Sequence, residues 1–426
     1  MPTRPFRFVH ASDFHMEQPL MGVAEIPDHL RELFLESPYL AARQVFEAVL
    51  AEDAKFLLLS GGIASPDAGP RGPAFLAEQF TRLAAREIEV YWAGSAGDPP
   101  ETWPASFKLP QNVHFFPRHQ VENLLVQDSA GPLARLAGIS SDGQRPLRPG
   151  DFLPDSAGLY SIAVSHGEID AMTMKGDSPI FAETKIGTVP VQSRGIHYWA
   201  MGGRHDRGTP SAGPQIVHYC GTPQGRRPQE CGVHGCTLVQ VDEQGQARTS
   251  LIPTDSVRWL NERILLDEST GREELESRIR ERLHTLCETM PATGLLISWI
   301  VGGRGPLLRS LRRGKPAAEL LQGLRGDFGY RSPTLWSVAL DTEISESFPP
   351  EWYEQETIRG DYLRAIRQLQ MNPGTPMDLA PYLAETHLAG TLAGMVAFAA
   401  NTTRDGVLRE AAALGVDLLS GEEPQA

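Results

Sequence analysis

At 426 residues and 41% hydrophobic composition, the chain is long enough for two or three domains that each bury a core, which excludes wholesale disorder. No run approaches the roughly 18 consecutive apolar residues of a membrane span, and the opening Met1-Pro2-Thr3-Arg4-Pro5 lacks the apolar core of a signal peptide, so a cytoplasmic location is expected. A formal net charge of −14 excludes coating of nucleic acid by the whole surface but not a local basic groove, and four cysteines are too few for a disulfide framework.

Residues 7–11 read as a strand that runs into Ser12-Asp13-Phe14-His15. Val45, Phe46, Val49 and Leu50 share a face and predict a helix over about 42–51. Residues 56–59 form a buried strand ending in Ser60-Gly61-Gly62, a second helix spans about 74–86, and a strand over 88–92 ends in Ala93-Gly94-Ser95-Ala96-Gly97-Asp98. Strand following helix twice gives an α/β class. From about 113 to 252 helical patterns fade and short strands dominate, at 160–164, 198–201, 216–219 and 237–241. These complete one layered domain over 1–253, a β-sandwich flanked by helices, with Pro253-Thr254-Asp255 as its boundary.

Beyond it, a strand over 257–266 precedes a helix opened by the capping box Thr270-Gly271-Arg272-Glu273, with Leu275, Ile279, Leu283 and Leu286 at helical spacing. Strands at 295–301 and 335–342 and a short helix at 317–324 make residues 254–346 a small α+β capping domain. Residues 347–426 read as a helical tail: Ile358, Tyr362, Ile366 and Leu369 share a face, and further helices fall near 379–388 and 407–419. Such a tail forms little core alone and packs on the body or on a partner.

The chemistry sits in turns at strand ends, where α/β sheets place their sites. Asp13 and His15, at i and i+2, point the same way off an extended strand end and suit one hard or borderline cation. His166, in Ser165-His166-Gly167, and His205, in Gly202-Gly203-Arg204-His205, follow strands of the same apolar type. Taken singly, Asp13 and His15 read sooner as a turn aspartate and a strand-end histidine; the order and context of the motifs together reverse that.

In motif order, and in Tyr219-Cys220-Gly221-Thr222-Pro223-Gln224-Gly225-Arg226 followed by Gly235-Cys236-Thr237-Leu238-Val239, the chain resembles the calcineurin-like metallophosphoesterases, specifically their SbcD/YhaO-like DNA-repair exonuclease branch. The resemblance covers residues 6 to about 342. It implies a hydrolase in which two ions roughly 3.5–4 Å apart clamp a phosphate and activate water. It places ligands at five motifs: Asp13 and His15 match the first and His166 the fourth, while the fifth keeps His205 but has Gly203 for its first histidine. The second motif has Gly62 where the bridging carboxylate belongs, and the third has Ser95 and Ala96 in place of the Asn ligand and the general-acid histidine, keeping only Asp98.

One ion thus keeps Asp13, His15 and His205, whereas the other keeps only His166 of its own set. Two dications about 4 Å apart repel by roughly 17 kcal/mol at an effective dielectric of 20, a repulsion that the missing bridge would have offset. A two-metal centre is therefore not expected. A single Mn2+ or Zn2+ on two histidines and one aspartate, completed by Asp98 or Asp67, remains chemically reasonable. The other reading of these residues is a relic pocket kept by packing.

Arg204 and Arg226 lie near the site in sequence, and Arg309, Arg312 and Arg313, with Arg304 and Lys315, form the densest basic run. All are candidate DNA phosphate contacts, the run being equally a solvated helix edge. Cys231 and Cys236, near His218, His234 and Cys220, invite a structural zinc, but Cys-x4-Cys is not a usual finger spacing, and buried thiols are the expectation. The resemblance implies DNA and an SMC-like ATPase as partners, the latter gripped by the helical tail, and a homodimer is open. The expected protein is a catalytically impaired pseudoenzyme of a DNA-repair nuclease family, with a working single-metal phosphoesterase and a pure interaction module as rivals.

Overall fold

Alternation with period two decides which side chains of the central strands meet one another. In Phe6–Ala11 (β1), Phe6 and Phe8 point to one side and Val9 and Ala11 to the other; in Phe56–Ser60 (β2), Phe56 and Leu58 oppose Leu57 and Leu59. Both sets are buried, so each face of this sheet must be covered. The computed structural model describes residues 3–24, 26–144, 147, 149–152, 158–169, 185–186, 195–210, 215–290, 293–303, 305–312, 314–343, 348–372 and 401–419.

β1 and β2 lie in a six-stranded sheet with Glu89–Ala93 (β3), Val113–Phe115 (β4), Gly235–Val241 (β5) and Ala247–Pro253 (β6), in the order β6-β5-β1-β2-β3-β4. β1 to β4 run parallel, and β5 pairs antiparallel with β1, Phe8 facing Val239. A second, five-stranded sheet has the order Ile216–Tyr219, Tyr198–Gly202, Tyr160–His166, Gly131–Gly138, Glu122–Asp128. The faces holding Phe8, Phe56, Leu58 and Tyr91 on one sheet and Leu136, Ile162, Val164 and Tyr198 on the other share one core. Fully burying such side chains contributes about 1.5–3 kcal/mol each.

The outer face of the six-stranded sheet packs against two helices, Asp28–Ala51 (α1) and Arg71–Ala84 (α2), through Val45, Val49, Leu76 and Phe80. This is the α/β sandwich the sequence predicts. The helix expected over 42–51 begins at Asp28, because its first half packs Leu30 and Phe34 against Val257, Trp259 and Leu296, a pattern distant in sequence.

The chain divides into two units, 1–261 with 285–298 and 325–338, and 262–284 with 299–324 and 339–426. The division interleaves where the sequence suggests a single boundary, because the three strands Val257–Leu266, Gly294–Gly303 and Leu335–Thr342 each pass from the first unit into the second. In the second unit the tail helices Ile358–Met371 and Asn401–Leu419 bury Leu363, Ile366, Leu408 and Val416 together, and the Tyr362 hydroxyl donates to the Ala411 carbonyl at 2.7 Å. The helix expected near 379–388 lies outside the described residues. Thr270, expected to cap the helix Arg272–Thr289, instead accepts from Asp267 N–H at 3.1 Å and donates to its carboxylate at 2.9 Å.

Candidate metal centre

Parallel pairing brings the carboxyl ends of β1, β2 and β3 to one edge of their sheet. The parallel strands Tyr160–His166 and Tyr198–Gly202 likewise end together, with Gly202 opposite His166. Every turn singled out in the sequence lies just past one of these ends. Contacts across the sandwich join the two groups: the Gly203 N–H and His166 Nε2 both reach the Asp13 carboxylate.

Asp13 and His15 do not extend the strand. Both are left-handed, at φ 54° and 44°, and their N–H groups donate to Gly61 and Gly62 carbonyls at 2.8 and 2.9 Å. The extended geometry expected of them is therefore replaced by a tight double turn, further pinned by the Thr222 hydroxyl on the Asp13 carbonyl at 2.8 Å. Backbone strain of this kind costs about 1–3 kcal/mol per residue and concentrates at functional sites.

The Asp13 carboxylate is buried and heavily used. Oδ2 accepts from Ser12 Oγ at 2.6 Å and from Gly203 N–H at 2.9 Å, while Oδ1 lies 3.2 Å from His166 Nε2 and 3.8 Å from His15 Nε2. Burial alone would raise its pKa, but the His166 hydrogen bond and the neighbouring imidazoles hold it well below the usual carboxylate range. His15 is pushed down to about 3, first by burial and then by Arg226, against the attraction of Asp13. His15 and His205 rings lie 5.3 Å apart, and ligand atoms of Asp13, His15 and His205 fall within 4.8 Å of one another. Among the described residues this is the one such cluster of three.

No family model matches the chain. Over 348 residues, covering 79% of this chain and 81% of the relative, it is 24% identical to a Bacillus subtilis (strain 168) protein described as "Uncharacterized metallophosphoesterase YhaO". This likeness, over most of both chains, supports the calcineurin-like metallophosphoesterase family. The family is metal-dependent, and the donor chemistry here fits a single cation: one carboxylate and two imidazoles, a set with the three protein ligands of a catalytic zinc or manganese site.

The residues do not fit a second ion. Gly62, at φ 70°, carries no ligand, and a Cβ there would lie 2.8 Å from Asp13 Oδ1. Gly203, at φ 98°, where the resemblance implies a histidine, contributes its N–H to Asp13. Asp98, considered as a completing ligand, is committed elsewhere: Oδ1 accepts from Gly62 N–H at 3.0 Å, from Ser95 N–H at 2.6 Å and from the Ser95 hydroxyl, and Oδ2 accepts from Ile63 N–H at 2.9 Å. It laces the second and third turns together instead of facing a cation. Asp67 is exposed on a short turn, and neither aspartate joins the cluster. His166 keeps its place against Asp13.

One further expectation changes in the structure, and one alternative finds no support. Arg226 is only 2% exposed, with its Nη1 donating to Gln18 Oε1, so it is not available as a surface phosphate contact. The suggested zinc cluster does not assemble: His218 sits between the Thr209 and Thr237 hydroxyls, 2.8 Å from each, His234 between the Thr222 and Glu230 carbonyls, and Cys231 donates to the Pro228 carbonyl. Of the two thiols expected to be buried, Cys236 is buried and Cys231 only half-buried; Cys220 is also buried. Arg204 is half-buried with its guanidinium 5.1 Å from the Tyr219 ring centroid. Arg309 and Arg312 lie on the short helix Pro306–Arg312 of the second unit, which buries Leu308 and Leu311; Arg304 and Arg313 lie outside the described residues.

Sequence reasoning missed Glu230. Its buried carboxylate meets His205 Nδ1 at 2.8 Å, Arg227 Nε at 2.7 Å and the Arg226 N–H at 2.7 Å. Nothing in its spacing, 25 residues beyond His205, marks it.

Proposed function

We propose that the chain is a hydrolytically impaired member of the SbcD/YhaO-like exonuclease branch that holds at most one divalent ion and acts in the cytoplasm as a scaffold for DNA ends. The observation that carries this reading is the use made of the second ion's place: Asp98 is saturated by backbone donors, and Gly203 N–H and His166 occupy the Asp13 carboxylate. A bound cation supplies charge to orient a phosphate and acidify water. Asp13, His15 and His205 would hold it, but the carboxylate bridge and the acid that would protonate a leaving oxygen are gone from Gly62 and Ala96. Arg309 and Arg312 supply the phosphate contacts in this reading, and the tail helices are the place for an SMC-like ATPase partner.

Metal analysis of the purified protein, joined to a manganese-dependent exonuclease assay with His15→Ala as control, tests the proposal. The expected result is no more than one ion per chain, no His15-dependent cleavage, and DNA-end binding at low salt that Arg312→Glu weakens. Two bound ions with His15-dependent cleavage would overturn it; absence of DNA binding would leave an interaction module. A working single-metal phosphoesterase is the second reading, favoured by the left-handed strain retained at Asp13 and His15.

A further inference from the structure

Glu230 belongs to no ligand set, yet it is one of the most constrained carboxylates in the chain. It is 5% exposed and receives Arg227 Nε and the Arg226 N–H, while its own N–H donates to the Arg227 carbonyl at 2.9 Å, so its position is fixed from several sides. Both of its oxygens are taken by obligate donors: Oε2 accepts from the Arg226 N–H and Oε1 from the Arg227 guanidinium, each at 2.7 Å. With both oxygens acting as acceptors beside a guanidinium, the His205 Nδ1 2.8 Å from Oε1 is the nitrogen that carries hydrogen. The ring nitrogen that can serve a cation is then Nε2.

We propose that Glu230 is a positioning residue: it holds the His205 proton on Nδ1 and aims Nε2 at the cation position shared with Asp13 and His15. This rests on the one-ion reading above. The segment Cys220–Glu230 is built to support it, since Gln224 ties that loop to Ser256 and Val257 through its side-chain amide, and the Thr222 N–H holds the His205 carbonyl at 3.0 Å. Carboxylates that orient a ligating imidazole in this way typically change metal affinity by 10–100-fold when removed.

The experiment uses the full chain with 15N-labelled histidine. Without metal, the His205 tautomer is read by NMR; with Mn2+, affinity is read by calorimetry, for wild type, Glu230→Ala, Glu230→Gln and Asp13→Ala. Glu230→Ala is expected to turn a single Nδ1–H tautomer into a mixture and to weaken Mn2+ binding about 10–100-fold. Glu230→Gln, whose amide oxygen still accepts from Nδ1–H, is expected to keep the tautomer and lose only part of the affinity; it carries the test if the alanine variant fails to fold. An unchanged tautomer in Glu230→Ala, or wild-type affinity in that variant when Asp13→Ala has lost it, overturns the inference. A wild type that binds no Mn2+ while the tautomer still shifts overturns the one-ion reading and leaves the positioning role standing.

Discussion

Two halves of one pocket, built from the same kind of turn at neighbouring strand ends, have gone different ways. Around β1 and the loop after Gly202, Asp13, His15 and His205 keep their donors close and keep left-handed strain at two of three positions. Around β2 and β3, the turns have been re-bonded: Asp98 gathers N–H groups from Gly62, Ile63 and Ser95 and needs no cation to be satisfied. Backbone donors satisfy the hydrogen bonding of a buried carboxylate without a metal ion, although for Asp98 burial still outweighs them and raises its pKa. The strained half is suited to function and the re-bonded half to stability.

The largest expected effect falls in the re-bonded half. Asp98→Ala strips the acceptor from three buried N–H groups and should destabilise the chain by about 3–5 kcal/mol, read by urea denaturation. Ion binding by the remaining folded protein should be unchanged. Loss of binding at constant stability would mean that Asp98 serves the retained half, and the division drawn between the halves would fail.

Beneath both halves lie two histidines that belong to neither. His10 bridges Tyr198 and Ser60, and His218 bridges two threonines; burial pushes them down to about 3 and about 2 respectively. Asp13 acts against this for His10, while His10 and Arg207 add to it for His218. Because the folded pKa values lie below the unfolded one, the unfolded chain binds more protons under pH 6.5, and stability is lost as pH falls through that point. By pH 5 each should have cost about 2 kcal/mol. Denaturation midpoints from pH 7 to 5 check this, and His10→Gln should flatten the slope; an unaltered slope would remove His10 from the account.

These histidines also show where sequence reading stops. The strands, their order of use and the motif turns were legible because period-two burial and Gly-rich strand ends are local signals: Phe6 and Phe8, Leu57 and Leu59, and Gly61-Gly62 each announce themselves within a few residues. His218 and Cys231 invited a zinc ion because they are near in sequence, but His218 is held by the Thr209 and Thr237 hydroxyls and Cys231 by the Pro228 carbonyl. That Gly62 and Gly203 stand where the resemblance implies ligands is legible in the sequence, whereas the contacts made around them are not. Asp98 meets the second turn 36 residues away, and Glu230 meets His205 25 residues away, through contacts that only the sandwich creates.

Placing a carboxylate where the resemblance implies the bridge tests whether this half can take an ion. In Gly62→Asp the new Cβ meets Asp13 Oδ1 at 2.8 Å in a left-handed backbone, which aspartate tolerates better than most residues. Without metal it should cost about 1–2 kcal/mol, from strain and from a second carboxylate beside the first. Thermal melts with and without Mn2+ decide between the outcomes. Recovery of the lost stability by millimolar Mn2+ would show that the re-bonded half still accepts an ion; no recovery is expected.

The smallest effect probes the retained half most directly. His15 holds φ at 44° with a side chain that any non-ligating site could replace by glycine. His15→Ala and His15→Gly both lose the imidazole, so the difference between them isolates the backbone. An alanine in the left-handed region carries about 1–2 kcal/mol of steric cost that glycine lacks, set against roughly 0.5–1 kcal/mol of extra chain entropy for glycine. The glycine variant should therefore be the more stable by about 0.5–1 kcal/mol in the absence of metal, while both lose the ion. If the two variants are equally stable, the left-handed turn stores nothing, and strain ceases to distinguish the half that binds from the half that has closed.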